Sequence, residues 1–117
     1  MKLSSIQVFK LMYCALDGIW SNSKDEKLSI FLSDANPFLC VDGSADPVVY
    51  NDFAKSFGED KELKDFGYSI IIDYLTKLDN YYGDILSYFK SLTEQEYIKI
   101  STENLSLPDD ELKRRHI

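Results

Sequence analysis

Apolar side chains recur every three or four residues along most of this chain, a spacing that predicts amphipathic helices. Ile6, Phe9, Tyr13, Leu16 and Trp20 share one helical face, and Val8, Met12 and Ile19 widen it, so the first helix reads as well buried. Ser4 or Ser5 supplies its cap, and Gly18 with Ser21-Asn22-Ser23 marks its end. Ser23 and Glu26 have capping-box spacing, which predicts a second helix over 24–34 burying Leu28, Phe31, Leu32 and Ala35. Leu28, Ile30 and Leu32 also alternate, so a strand at 28–32 is the alternative. A third helix starts at Pro47, carries Val49, Tyr50, Phe53 and Phe57, and stops at Gly58.

The longest run follows. Leu63, Phe66, Ile70, Tyr74, Leu78, Tyr82, Ile85, Phe89 and Leu92 keep helical spacing, with Glu59, Asp60 and Glu62 placed to favour the positive end of a fourth helix. Asp79-Asn80 and Gly83 are weak helix formers and predict a break there. This segment is expected to form the centre of the bundle. Thr93 and Glu96 repeat the capping-box spacing before a helix over 94–103, with a short strand at 97–101 as the alternative. Beyond Pro108, Asp109-Asp110-Glu111 and then Lys113-Arg114-Arg115 predict a last helical turn ending in a frayed terminus that holds His116. The fold expected over 1–117 is all-α, a compact single-domain bundle of about five or six helices. An α+β arrangement using the two short strands is the alternative.

One stretch breaks the helical pattern. Asn36-Pro37 ends the second helix, because the proline ring disfavours helical geometry at Asn36. Asp46-Pro47 opens the third, with Asp46 as N-cap. Phe38, Leu39 and Val41 lie between, and three apolar residues in a loop predict that it folds down over the core. Asp42, Ser44 and Asp46 have the alternate spacing that opens an EF-hand, but Pro47 occupies the loop-glycine position and Phe53 that of the distal glutamate. Caps and Asx-turns account for these side chains, and no metal or cofactor is expected.

At 117 residues the chain can bury a core without staples. Its 20 acidic and 13 basic residues give a net charge of −7, which argues against direct nucleic-acid binding and favours a basic protein partner. Cys14 and Cys40 are the only cysteines; a bridge between them is open, though two thiols without a signal peptide read as reduced. No apolar run is long enough to span a bilayer, and the N-terminal segment does not fit a secretory signal, so a cytoplasmic protein with no membrane contact is expected. The single histidine, His116, is next to last, no Cys/His cluster has zinc spacing, and the five glycines are scattered singly. No enzyme is expected.

Acid is concentrated over 42–65. Asp42, Asp46, Asp52, Glu59, Asp60, Glu62 and Asp65 stand there against three lysines, whereas 1–24 holds one acid and three lysines. Tyr50, Tyr68, Tyr81 and Tyr88 fall at the edges of apolar stripes, where tyrosine serves either an interface or a core margin. The partner-binding candidates are therefore those seven acids with Tyr50 and Tyr68; an evenly solvated acidic surface is the competing explanation.

Leu32-Ser33-Asp34-Ala35-Asn36-Pro37-Phe38-Leu39, followed by Gly43-Ser44-Ala45-Asp46-Pro47 and an aromatic helix to Phe57, resembles small bacterial immunity proteins of contact-dependent inhibition and other polymorphic-toxin systems. The likeness covers 28–57, about a quarter of the chain, with no catalytic motif in it. It implies a small, acidic, cytoplasmic protein that binds a cognate toxin domain, often a basic nuclease, and blocks its active site or substrate groove by stoichiometric occlusion. A non-catalytic adaptor or structural module of a bacterial cytoplasmic complex is the alternative.

Overall fold

A computed structural model describes residues 1–78 and 80–116, and the chain is mostly helical. The helices are α1 (Ser5–Ser23), α2 (Glu26–Ala35), α3 (Pro47–Phe57), α4 (Tyr68–Thr76), α5 (Ile85–Lys90), α6 (Glu94–Leu105) and α7 (Asp109–His116). A single 3-10 turn, Asn80–Tyr82, lies between α4 and α5. Two short strands, β1 (Lys2–Leu3) and β2 (Lys61–Glu62), pair antiparallel with Lys2 opposite Glu62 and Leu3 opposite Lys61.

The centre of the bundle is α1, not the long fourth segment. Val8, Phe9 and every residue from Leu11 to Leu16 are buried, so its apolar surface runs round the helix. It packs against α2, α3, α5 and α6. Its N-terminus carries a full capping box: the Ser4 hydroxyl accepts from Gln7 N–H, and the Gln7 side chain accepts from Ser4 N–H at 2.9 Å. At the other end Lys24 takes left-handed geometry (φ 54°) and its N–H reaches Trp20 O at 2.7 Å. That single-residue reversal keeps Ser23 inside α1. The capping box expected from Ser23 and Glu26 therefore does not form, and Asp25 caps α2 by accepting from Leu28 N–H at 2.9 Å.

The segment 59–92 departs furthest from its periodicity. Glu59, Asp60 and Glu62 do not open a helix, since 61–62 pairs with the N-terminal strand instead. Phe66 (φ 55°) and Gly67 (φ 89°) then turn the chain sharply, and α4 starts only at Tyr68. A Cβ at Gly67 would lie 2.5 Å from a Val8 methyl, so this turn fits against α1 only without one. The Phe66 carbonyl turned inward there accepts the Tyr97 hydroxyl at 2.8 Å. The break near Asn80 and Gly83 is present; Asp79 lies outside the described residues. Both stretches with a strand alternative are helical, 28–32 inside α2 and 97–101 inside α6.

The C-terminal segment is docked, not frayed. In α7 the acids lie in the first turn and the bases in the last, Leu112 is buried, and His116 packs onto α1. His116 Nδ1 is 2.6 Å from Asp17 Oδ2, and its ring stacks on Phe38 (centroids 5.7 Å apart, 13° between planes).

Candidate functional site

The stretch between α2 and α3 forms a loop closed at its neck. Proline after Asn36 stops α2, and Asn36 turns its side chain onto the loop, where Oδ1 accepts from Phe38 N–H at 2.9 Å. Ala45 N–H donates to Asn36 O at 3.0 Å and Asp46 N–H to Asp34 O at 2.8 Å, drawing the two ends together. Ser44 is buried between them; its hydroxyl donates to the Asp46 carbonyl and accepts from Tyr50 N–H at 3.0 Å. Phe38 alone of the three apolar loop residues folds down, edge-on to Tyr13 at 5.8 Å and stacked on His116. Leu39 and Val41 point outward, 61% and 93% exposed, which corrects the expectation that all three cover the core. Asp42, just after them, adopts left-handed geometry (φ 51°), which turns the chain back. A loop pinned by hydrogen bonds has little conformational freedom left to lose on binding, and apolar side chains held in water at its tip are the kind of feature an interface covers.

Beside the loop, α3 and the end of α4 flank an open groove of about 760 Å³. Val48, Asp52 and Lys55 line it from α3; Tyr74, Lys77 and Leu78 face them, with Tyr81 and Tyr82 at the end. The Tyr74 hydroxyl donates to Val49 O at 3.3 Å and the Tyr82 hydroxyl to Asp34 Oδ2 at 2.8 Å, so both rings are fixed. Burial, then the nearby Asp52 carboxylate, pushes the Tyr74 phenol above its usual range; burial, then Asp34, does the same for Tyr82. Both phenols stay neutral donors at physiological pH. Val48 and Tyr81 form the rim, 62% and 66% exposed.

The nine partner-binding candidates do not converge on one place. Asp42 sits at the loop tip, and Asp46 and Asp52 line the groove. Asp46 also caps α3, accepting from Val48 N–H at 3.1 Å. Glu59 and Asp60 are exposed in the turn after α3, and Glu62 in β2 binds the chain's amino terminus at 2.7 Å. Asp65 holds the turn before α4, with Oδ1 accepting from Gly67 N–H at 2.9 Å and Oδ2 from Ser69 N–H at 3.1 Å. Tyr50 and Tyr68 are core-margin residues: the Tyr50 hydroxyl is 2.7 Å from that of Ser5, and Tyr68 donates to Leu92 O at 3.1 Å while packing on Phe89 and Tyr97. Leu39, Val41, Val48 and Lys77 were not legible as surface-site residues, because spacing does not say which apolar side chains a loop turns outward.

Cys14 is buried and Cys40 exposed, and both thiols are free. Burial, and next the Asp17 carboxylate, pushes the Cys14 thiol up to about 12, while Cys40 donates to Ser44 O at 3.4 Å. Among the described residues no hydroxyl or thiol is hydrogen-bonded to the His116 ring beside Asp17, and no cluster of three His, Cys, Asp or Glu side chains is placed to hold a metal ion. No helix among them is long and apolar enough to cross a membrane. Compared with protein-family models, with curated proteins and with solved structures, the chain shows no match.

Proposed function

We propose that this protein is an inhibitor of the immunity type, which binds a cognate toxin domain in the cytoplasm and neutralises it by stoichiometric occlusion. The observation that carries this reading is the loop over 37–46, pinned at its neck yet holding Leu39 and Val41 in water beside Asp42. A pre-organised apolar tip with a carboxylate beside it suits insertion into a cleft of a basic protein, such as the substrate groove of a nuclease. The net charge of −7 adds long-range attraction for such a partner. The resemblance of 28–57 to immunity proteins points the same way. In this arrangement Leu39 and Val41 supply the buried contact, while Asp42, Asp46 and Asp52 face the toxin's Lys and Arg side chains.

Affinity capture of the tagged protein, co-expressed with the product of the neighbouring upstream gene, tests the reading directly. The expected product is a 1:1 complex with a basic toxin domain, whose association rate falls roughly tenfold between low and high salt. Leu39→Asp with Val41→Asp is expected to weaken that complex by at least about a hundredfold, the loss of a central apolar anchor. The unfolding midpoint should stay where it was, since both side chains are already in water. Toxin protection that survives this double substitution would remove the loop from the interface, and a partner without toxic activity would support the adaptor reading instead.

A further inference from the structure

We infer that the groove between α3 and α4 is a recognition site of its own, which takes an extended peptide segment bearing one cationic and one anionic side chain about an apolar residue. The inference rests on reading the chain as a protein-binding module, but not on what its partner does. Size and shape come first. A volume of about 760 Å³ is ample for a few residues of peptide, and the exposed rim at Val48 and Tyr81 leaves the trough open along one side, as an extended chain needs.

Charge then selects the occupant. Among the described residues the groove offers Asp46 and Asp52 with Lys55 and Lys77, two of each sign, in a molecule whose net charge is −7. None of the four takes part in an ion pair among the described residues; the Asp46 carboxylate serves as a helix cap. A purely cationic segment would gain at the carboxylates and be repelled by the lysines, and a phosphate-rich ligand would meet the reverse. A segment with both charges gains at both. Asp52 and Lys55 lie one turn apart on α3, about 5 Å along its axis. Extended peptide rises about 3.3 Å per residue and alternates faces, so the nearest two side chains on one side are two residues and about 6.6 Å apart, a span that flexible Arg and Glu side chains adjust to meet Asp52 and Lys55. The side chain between the two charges points the other way, toward the facing wall, where Tyr74 and Leu78 offer apolar contact. Because Tyr74 and Tyr82 are already tied down by hydrogen bonds, the walls are set before the peptide arrives.

The test is an NMR titration of the isotope-labelled full chain with blocked pentapeptides, acetyl-Ala-Arg-Leu-Glu-Ala-amide and the Glu-Leu-Arg order, alongside versions in which Arg or Glu is replaced by Gln. At least one doubly charged peptide should shift the amides of Val48, Asp52, Lys55 and Lys77 with saturation. Each neutralised version should bind about twofold to fivefold more weakly. Asp52→Asn should erase the advantage of the Arg, and Lys55→Met that of the Glu, which a double-mutant cycle reads as coupling. No saturable shift up to about 10 mM peptide, shifts that map elsewhere, or equal affinity for charged and neutralised peptides would each overturn the proposal. The two readings part cleanly. A toxin complex that forms while no peptide saturates the groove leaves the inhibitor standing and removes the groove. Peptide binding without any toxin complex does the opposite.

Discussion

At the scale of single residues, the tightest constraint is Gly67. It combines φ of 89° with a Val8 methyl where a Cβ would be, so two costs fall on any replacement. Gly67→Ala is expected to lower stability by about 2–4 kcal/mol, from left-handed strain and overpacking together. Urea unfolding checks this, with the midpoint falling at unchanged slope; a loss within error of zero would mean the turn re-forms without its glycine. Gly67 was visible in the sequence only as one of several scattered glycines. Its partner Val8 lies on another helix, and nothing local to residue 67 announces it.

Asp65 shows how an element can begin without its own cap. Gly67 at the start of α4 has no side chain, so the Asp65 carboxylate accepts the free N–H groups of Gly67 and Ser69. Burial opposes the charged form, but the hydrogen bonds from Ser69 and Gly67 outweigh it and hold the carboxyl below its ordinary 3.8. A folded value below the unfolded one means stability that is present above about pH 4 and is lost as pH falls through the folded value. Asp65→Asn should therefore be less stable than the natural protein at neutral pH, with the gap closing as the pH is lowered toward about 2. Thermal melts across that range decide it, and a gap constant with pH would assign the effect to packing. In the sequence Asp65 read as one more acid of a charged face. Its role as a cap depends on where α4 begins, which the apolar spacing alone placed too early.

For the whole molecule, the far end of the chain braces the proposed binding loop. His116 touches Asp17 across 99 positions of sequence, and the same ring stacks on Phe38, the residue that anchors the loop. His116→Ala should cost roughly 2–4 kcal/mol, from the lost hydrogen bond to a carboxylate together with the ring contacts to Phe38 and Tyr13. It should also speed amide exchange in the loop around Leu39 and Val41, where Arg114→Ala, on an exposed side chain, should not. Unchanged exchange in the loop after loss of His116 would show that Tyr13, Lys10 and the Asn36 side chain hold Phe38 without it. The buried residues form one cluster around α1, and both the pinned loop and the groove are built at its margin by elements that α1 holds in place.

The sequence by itself determined the predominance of helix, a serine cap at Ser4 or Ser5 (Ser4 in the structure), the start of α3 at Asp46-Pro47 and its end at Gly58, and the capping box of Thr93 and Glu96. Each of these follows from interactions within four residues, so the local pattern contains the cause. It also identified 32–48 as the stretch where the helical pattern fails. The sequence also placed the break near Asn80 and Gly83. Only the tertiary structure decided that α4 begins as late as Tyr68, that 61–62 pairs with the N-terminal strand, and that α1 is the central helix. The same holds for Leu39 and Val41 facing water while Phe38 is buried, and for Asp46 and Asp52 lining one groove while Glu62 and Asp65 serve elsewhere. Helical spacing marks which side chains prefer burial, but not which partner buries them. That choice is made by contacts between residues far apart in the chain.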